Sequence, residues 1–168
     1  MSVETLERHF TASAYIVTRR RTLLHWHRKL RMWLPPGGHC EPNEDPVQAA
    51  IREAEEESGL SVEVIAPPGL LVLRDPGTPA VLPPPEVILI QDIRAAGQPL
   101  HQHIDHVYFT RPLGAIDFAA PIPGGAPHRW FTAAELDAAF SLPAPDGTLV
   151  AVAEDIRLLG IRAIAAAE

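Results

Sequence analysis

Between Asp45 and Gly59 the chain carries a full set of helix start and stop signals wrapped around a block of acids. Asp45 is an N-cap type and Pro46 suits the first helical position, where the missing N–H costs nothing. Val47, Ala50, Ile51 and Ala54 form an apolar stripe at spacings of three and four, and Gly59 supplies the left-handed residue that ends a helix. The spacing predicts a helix over 46–58. On it Glu53, Glu56 and Glu57 stand at i, i+3 and i+4, which puts three carboxylates on one face, away from the apolar stripe. Like charges at that spacing repel by a few tenths of a kcal/mol per pair. Within the helix only Arg52 offsets them. A hard divalent cation would bind such an arrangement through oxygen, and Mg²⁺ is commonly shared between one or two carboxylates and the phosphates of a substrate.

The charge distribution agrees. The 168 residues carry a net −7, but residues 1–34 are net +5, residues 41–57 net −6 and the remainder net −6. An acidic total excludes a protein that grips a long nucleic acid through its phosphates. One domain, 1–168, is expected at this length, and the single Cys40 excludes a disulfide framework and a cysteine-built zinc site. No apolar run approaches the roughly 18 residues of a membrane span. The first ten residues, MSVETLERHF, lack the apolar core of a signal peptide, so a cytoplasmic chain is expected.

Around the helix the pattern is mixed. Residues 11–18 and 22–27 read as a hairpin turned by Arg19, Arg20 and Arg21. Trp33-Leu34 runs into the stiff turn Pro35-Pro36-Gly37-Gly38. Strands are expected at 62–65, 70–73, 87–93 and 104–110, with a proline-rich loop over 75–86 and another loop over 112–128. Thr132 and Glu135 form a capping box for a short helix to about Phe140. Leu149, Val152, Ile156 and Leu159 predict a last amphipathic helix in the segment from Asp146. The sum is an α/β or α+β layer structure without internal repeats.

Gly38, five residues, Glu44, seven residues, then Arg52-Glu53-Ala54-Glu55-Glu56-Glu57-Ser58-Gly59-Leu60 resembles the signature of the Nudix hydrolases, GX5EX7REUXEEXGU. Every fixed position matches, and the soft departure is Ala54, where a larger aliphatic is usual. From average residue usage, seven fixed residues at set spacings arise by chance with a probability on the order of 10⁻⁶. The resemblance implies an α/β/α sandwich with a mixed sheet and a catalytic loop–helix–loop at about 38–60. It also implies hydrolysis of a nucleoside diphosphate linked to another moiety, with Mg²⁺ or Mn²⁺ activating water against phosphorus.

Carried over by position, Glu53, Glu56 and Glu57 are the metal ligands, with the carbonyl of Gly37 or Gly38 as a further one. Arg52 orients a helix carboxylate, Glu44 braces the preceding loop, and Gly38 and Gly59 are structural. The base that takes the proton from water is Glu53 or Glu56, since Glu57 is the most committed ligand. Some relatives place a further acid just before a Trp-Phe strand. Here residues 124–130 contain none, and His128 is the alternative.

Other residues carry weaker signals. His101, His103 and Asp105 alternate, so a strand would put them on one face, as a substrate contact or a separate transition-metal row. His25 and His27 likewise share a face. Arg28, Lys29 and Arg31 precede the metal loop and are candidates for a substrate phosphate. Cys40 has no base to activate it as a nucleophile. Pro76 lies 16 residues past Leu60, a spacing associated in the family with ADP-ribose, but in a chain with 18 prolines it decides little. Three functions follow: a Mg²⁺-dependent pyrophosphohydrolase of a small nucleotide, whose relatives often pair as homodimers; an effector-binding module that senses such a nucleotide; or a prenyl diphosphate isomerase. The complete box favours the first.

Overall fold

The computed structural model describes residues 6–94, 97, 99–138 and 141–168. Strands β1 (Glu7–Thr18) and β2 (Arg21–His27) form the expected hairpin, closed by Arg19 and Arg20, both at positive φ (45° and 60°). Two positive φ values in a two-residue loop match the right-handed twist of the strands, at some steric cost for arginine. The short strands β3 (Met32–Leu34) and β4 (Gly37–His39) follow, so the turn is confined to Pro35-Pro36 and both glycines enter a strand. Helix α1 spans Pro46–Ser58, as its caps dictate.

Next come β5 (Val62–Val64), β6 (Val87–Ile93), β7 (His101–Pro112), β8 (His128–Thr132) and α2 (Ala133–Ala138). The chain ends with β9 (Ser141–Pro143), β10 (Leu149–Ala151) and α3 (Glu154–Ala166). Among the described residues, eight strands make one sheet with β3-β2-β1-β7-β5 as its spine; β4 pairs with β1, β6 with β7 and β8 with β2. The sheet is mixed: β1 runs parallel to β7 over Glu7–Ile16, and its other pairings are antiparallel. A hairpin of β9 and β10 stands apart.

The period of two along β1 sorts its side chains between two cores. Ala12, Ala14 and Ile16 join Tyr108, Leu23 and Trp130 under α1, whose Ala49, Ala50 and Ala54 are fully buried there. Tyr15 and Val17 join Val107, Phe109 and Phe131 on the other face, beneath Leu136 of α2 and Ile156, Leu159 and Ala163 of α3. The result is an α/β/α sandwich. Ala54, the departure from the usual motif, sits among Ala12, Ala14 and Ala50, a small-on-small contact that brings α1 close to the sheet.

Three expected elements differ. Residues 70–73 form no strand, and Leu71, Val72 and Leu73 are exposed: a short apolar run with no neighbour to pair with stays a loop. The last helix starts at Glu154, because Leu149 belongs to β10 and pairs with Pro143. Helix α2 is described to Ala138, and its expected end near Phe140 lies outside the described residues. No helix among the described residues is long and apolar enough to cross a membrane.

Candidate active site

The position of α1 is set locally. Asp45 accepts hydrogen bonds from the N–H groups of Val47 and Gln48, the Gln48 side chain accepts one from Asp45 N, and Gly59 at φ 72° ends the helix. With both ends held, the register that puts Glu53, Glu56 and Glu57 on one face follows.

Arg52 is the hub of that face. Its Nη2 and Nε donate to the Glu44 carboxylate (2.6 and 3.1 Å), Nη1 donates to Glu53 (2.8 Å) and Glu56 (3.3 Å), and Nη2 also donates to the carbonyl of His39 (3.0 Å). Glu44 further accepts from Glu41 N at 2.8 Å, so the guanidinium ties the loop before α1 to the second half of the helix. The hydrogen bond from Arg52 holds the Glu44 carboxyl below the usual range, and the pair with Glu44, followed by Glu53, keeps Arg52 firmly protonated.

The three carboxylates occupy different environments. Burial pushes Glu53 up, and the charges of Glu57 and Glu56 add to this, although the bond from Arg52 opposes it. Burial would raise Glu57 as well, but His25 and the N–H of Gly37 outweigh it and hold the group below its ordinary value. Glu57 Oε2 lies 3.0 Å from Gly37 N and 3.2 Å from His25 Nε2. Glu56 is the most exposed, with 60% of its side chain accessible against 13% for Glu53 and 27% for Glu57.

Gly38 leaves room for the same carboxylate. A Cβ at this position would overlap Glu53 Oε1 and come within 2.6 Å of its Cδ, so the main chain of β4 lies directly against the carboxylate. Among the described residues the three carboxylates do not converge on one another. Each has settled against a donor, as like charges do: Glu53 and Glu56 on Arg52, Glu57 on Gly37 and His25.

His25, which the sequence offered only as sharing a face with His27, joins the site. It lies on the same side of β2 as Leu23, which packs under α1, and its partner on the helix is visible only in three dimensions. His128 pairs with His25 across β2 and β8, and lines a cavity of about 370 Å³ with Ser58, Gly59, Leu60 and Trp130 at the C-terminal end of α1. Arg28 donates to the carbonyl of Gly125 at 3.4 Å, and Lys29 is exposed. Cys40 is partly buried, and burial, followed by Glu44, raises its thiol. His101 and His103 take the same side of β7 as Val107 and Phe109, opposite to α1. Asp105 on that side is bonded to Thr11 and Ser13 rather than grouped with the histidines.

The family model for the NUDIX domain matches residues 7–151. A crystal structure of a NUDIX-family hydrolase from Clostridium perfringens superposes with a TM-score of 0.72 at 30% identity, covering 97% of this chain and 100% of that one. An m7GpppN-mRNA hydrolase from Bos taurus is 45% identical over 47 residues, which is 28% of this chain and 15% of that protein. An asymmetrical bis(5′-nucleosyl)-tetraphosphatase from Caenorhabditis elegans is 55% identical over 31 residues, which is 18% of this chain and 22% of that protein. These curated likenesses thus span less than a quarter of the relatives' own lengths. The family match over 7–151, with the box intact at Gly38–Leu60, places the chain in the NUDIX domain family.

Proposed function

We propose that the chain hydrolyses a pyrophosphate bond in a nucleoside di- or triphosphate, or in a nucleoside diphosphate derivative, with Mg²⁺ or Mn²⁺ held by the carboxylates of α1. The observation that carries this reading is the face made by Glu53, Glu56 and Glu57 against the main chain of Gly37 and Gly38. Its donors are all oxygen and its net charge is negative, which fits a hard divalent cation. Glu53, Glu56 and Glu57 would hold the ion, with the carbonyl of Gly37 as a further ligand. Such an ion would polarise a phosphate oxygen and lower the pKa of water.

The chain's own residues divide the remaining work. Glu57, committed to Gly37 and His25, is a fixed ligand. Glu53 or Glu56 takes the proton from water, and Arg52 is a positioning residue for both. His128, on the same side of the sheet as His25 and lining the cavity at the end of α1, would contact substrate. Arg28 and Lys29 offer positive charge to phosphate.

The test is a panel of nucleotides incubated with the chain and Mg²⁺, scored for phosphate and pyrophosphate release. Release from at least one nucleotide derivative, abolished by chelation, is the expected result. Tight binding without release would favour the effector-binding reading instead.

A further inference from the structure

On the sheet face away from α1, four histidines from three strands meet. The parallel register places His9 beside His103 and Glu7 beside His101, and the β1–β4 register brings His39 alongside Thr11. The rings are packed together: His9 lies 5.0 Å from His101 and 5.9 Å from His103 between centroids, and His39 lies 4.7 Å from His103. One nitrogen from each of His9, His101 and His103 falls within 4.8 Å of the other two. We propose that His9, His101 and His103, with His39 as the fourth ligand, form a binding site for a borderline transition metal such as Zn²⁺, separate from the carboxylate face of α1.

The hydrogen bonding around the cluster prepares lone pairs for a metal. His9 Nε2 faces Glu7 Oε1 at 3.0 Å, which puts its proton there and leaves Nδ1 as a lone pair. His101 Nδ1 faces the carbonyl of Pro99 at 3.2 Å, which leaves its Nε2 free in the same way. Zinc-ligating histidines are oriented by such carboxylate and carbonyl partners. His103 Nε2 is buried with no hydrogen-bond partner among the described residues. His9 Nδ1 and His39 Nε2 are 3.3 Å apart, long for a hydrogen bond. Two nitrogens of a tetrahedral zinc, at about 2.0–2.1 Å from the metal, lie roughly 3.3 Å apart.

The chemistry selects the ion. Imidazole nitrogen favours Zn²⁺, Co²⁺, Ni²⁺ or Cu²⁺ over Mg²⁺. Ligating imidazole must be neutral, and the buried, unpartnered Nε2 of His103 offers a lone pair when the ring proton sits on Nδ1. His9 and His39 also line a cavity of about 710 Å³, which gives an ion a way in. His39 belongs to the signature loop, and its carbonyl accepts from Arg52, so a metal here would brace the loop that positions the α1 carboxylates.

The test is titration of the full-length, metal-stripped chain with Co²⁺ in excess Mg²⁺, read by the visible absorption of tetrahedral Co²⁺, and with Zn²⁺ by calorimetry. The expected result is one equivalent bound with a tetrahedral spectrum, weakened on the order of 100-fold by His103→Gln and about tenfold by Glu7→Gln. Glu57→Gln leaves the spectrum unchanged. Circular dichroism checks the fold of each variant, and the part-exposed His9→Gln substitutes if His103→Gln does not fold. Absence of a bound equivalent in excess Mg²⁺ overturns the proposal. So does a spectrum that survives the histidine substitutions or is lost with Glu57→Gln. None of these readouts depends on turnover, so the outcome is independent of the hydrolase reading.

Discussion

His25 Nε2 stands 3.2 Å from Glu57 Oε2, and the histidine is only 5% exposed. The contact joins β2 to α1 across the core and, together with Gly37 N, fixes one of the three carboxylates. His25→Ala removes a buried partner and leaves a void. Its expected cost is about 1–3 kcal/mol in urea unfolding, the penalty for a stranded buried polar group. Activity is expected to fall as well, because Glu57 keeps only the Gly37 N–H. Unchanged stability would show that the contact does not hold the helix.

Arg52→Lys tests the hub. Lysine is a point charge and cannot serve Glu44, Glu53, Glu56 and the His39 carbonyl together. The expected outcome is a 10- to 100-fold rise in the Mg²⁺ concentration needed for half-maximal activity, of the size seen when partners of metal ligands are lost. KM for the nucleotide should change much less than kcat. A purely structural role would lower the unfolding midpoint without moving the Mg²⁺ requirement.

Two neighbouring glycines should respond differently to alanine. The new Cβ of Gly38→Ala meets the Glu53 carboxylate, the free end of a flexible side chain that can swing aside. Stability is therefore expected to drop by only about 1 kcal/mol, at the low end for overpacking, while activity is largely lost. The Cβ of Gly37→Ala meets the Ala12 carbonyl and Ser13 Oγ, both at 2.8 Å. Backbone cannot swing aside, and a larger loss, about 2–3 kcal/mol, is expected. Thermal unfolding beside turnover separates the two.

Asp105 gives a pH signature remote from α1. It is buried on β7, accepting from Thr11 Oγ1 (3.0 Å) and Ser13 Oγ (2.9 Å). Burial raises its carboxyl, while the two hydroxyls and His106 oppose this and Asp155 adds to it. An unfolded aspartate titrates near about 3.9. Just above that pH the folded state binds more protons than the unfolded one, so Asp105's contribution is complete below the unfolded value and is lost as pH rises through the folded value. The stability of wild type relative to Asp105→Asn should therefore decline from pH 3 towards pH 7. Urea midpoints at each pH measure this; a difference that grows with pH would contradict it.

What could be read from sequence was local. Asp45, Pro46 and Gly59 delimit α1 because caps act within a turn, and the hairpin of β1 and β2 needs only a two-residue loop. Residues 70–73 and Leu149 misled because a strand depends on a neighbour that no local pattern records. The same limit hid the contacts of His25 with Glu57 and of His9 with His103, which rest on packing and pairing between distant segments. Periodicity placed His101 and His103 on one face, but only the parallel pairing of β1 with β7 shows that His9 joins them.

The most direct test of the central claim is the rate of nucleotide hydrolysis in Mg²⁺ by wild type, Glu56→Gln and Glu57→Gln, with folding verified for each. Glutamine keeps the shape and removes the charge, so a carboxylate face that holds a cation predicts a loss of at least about 100-fold in both variants. Full activity in both would contradict the account.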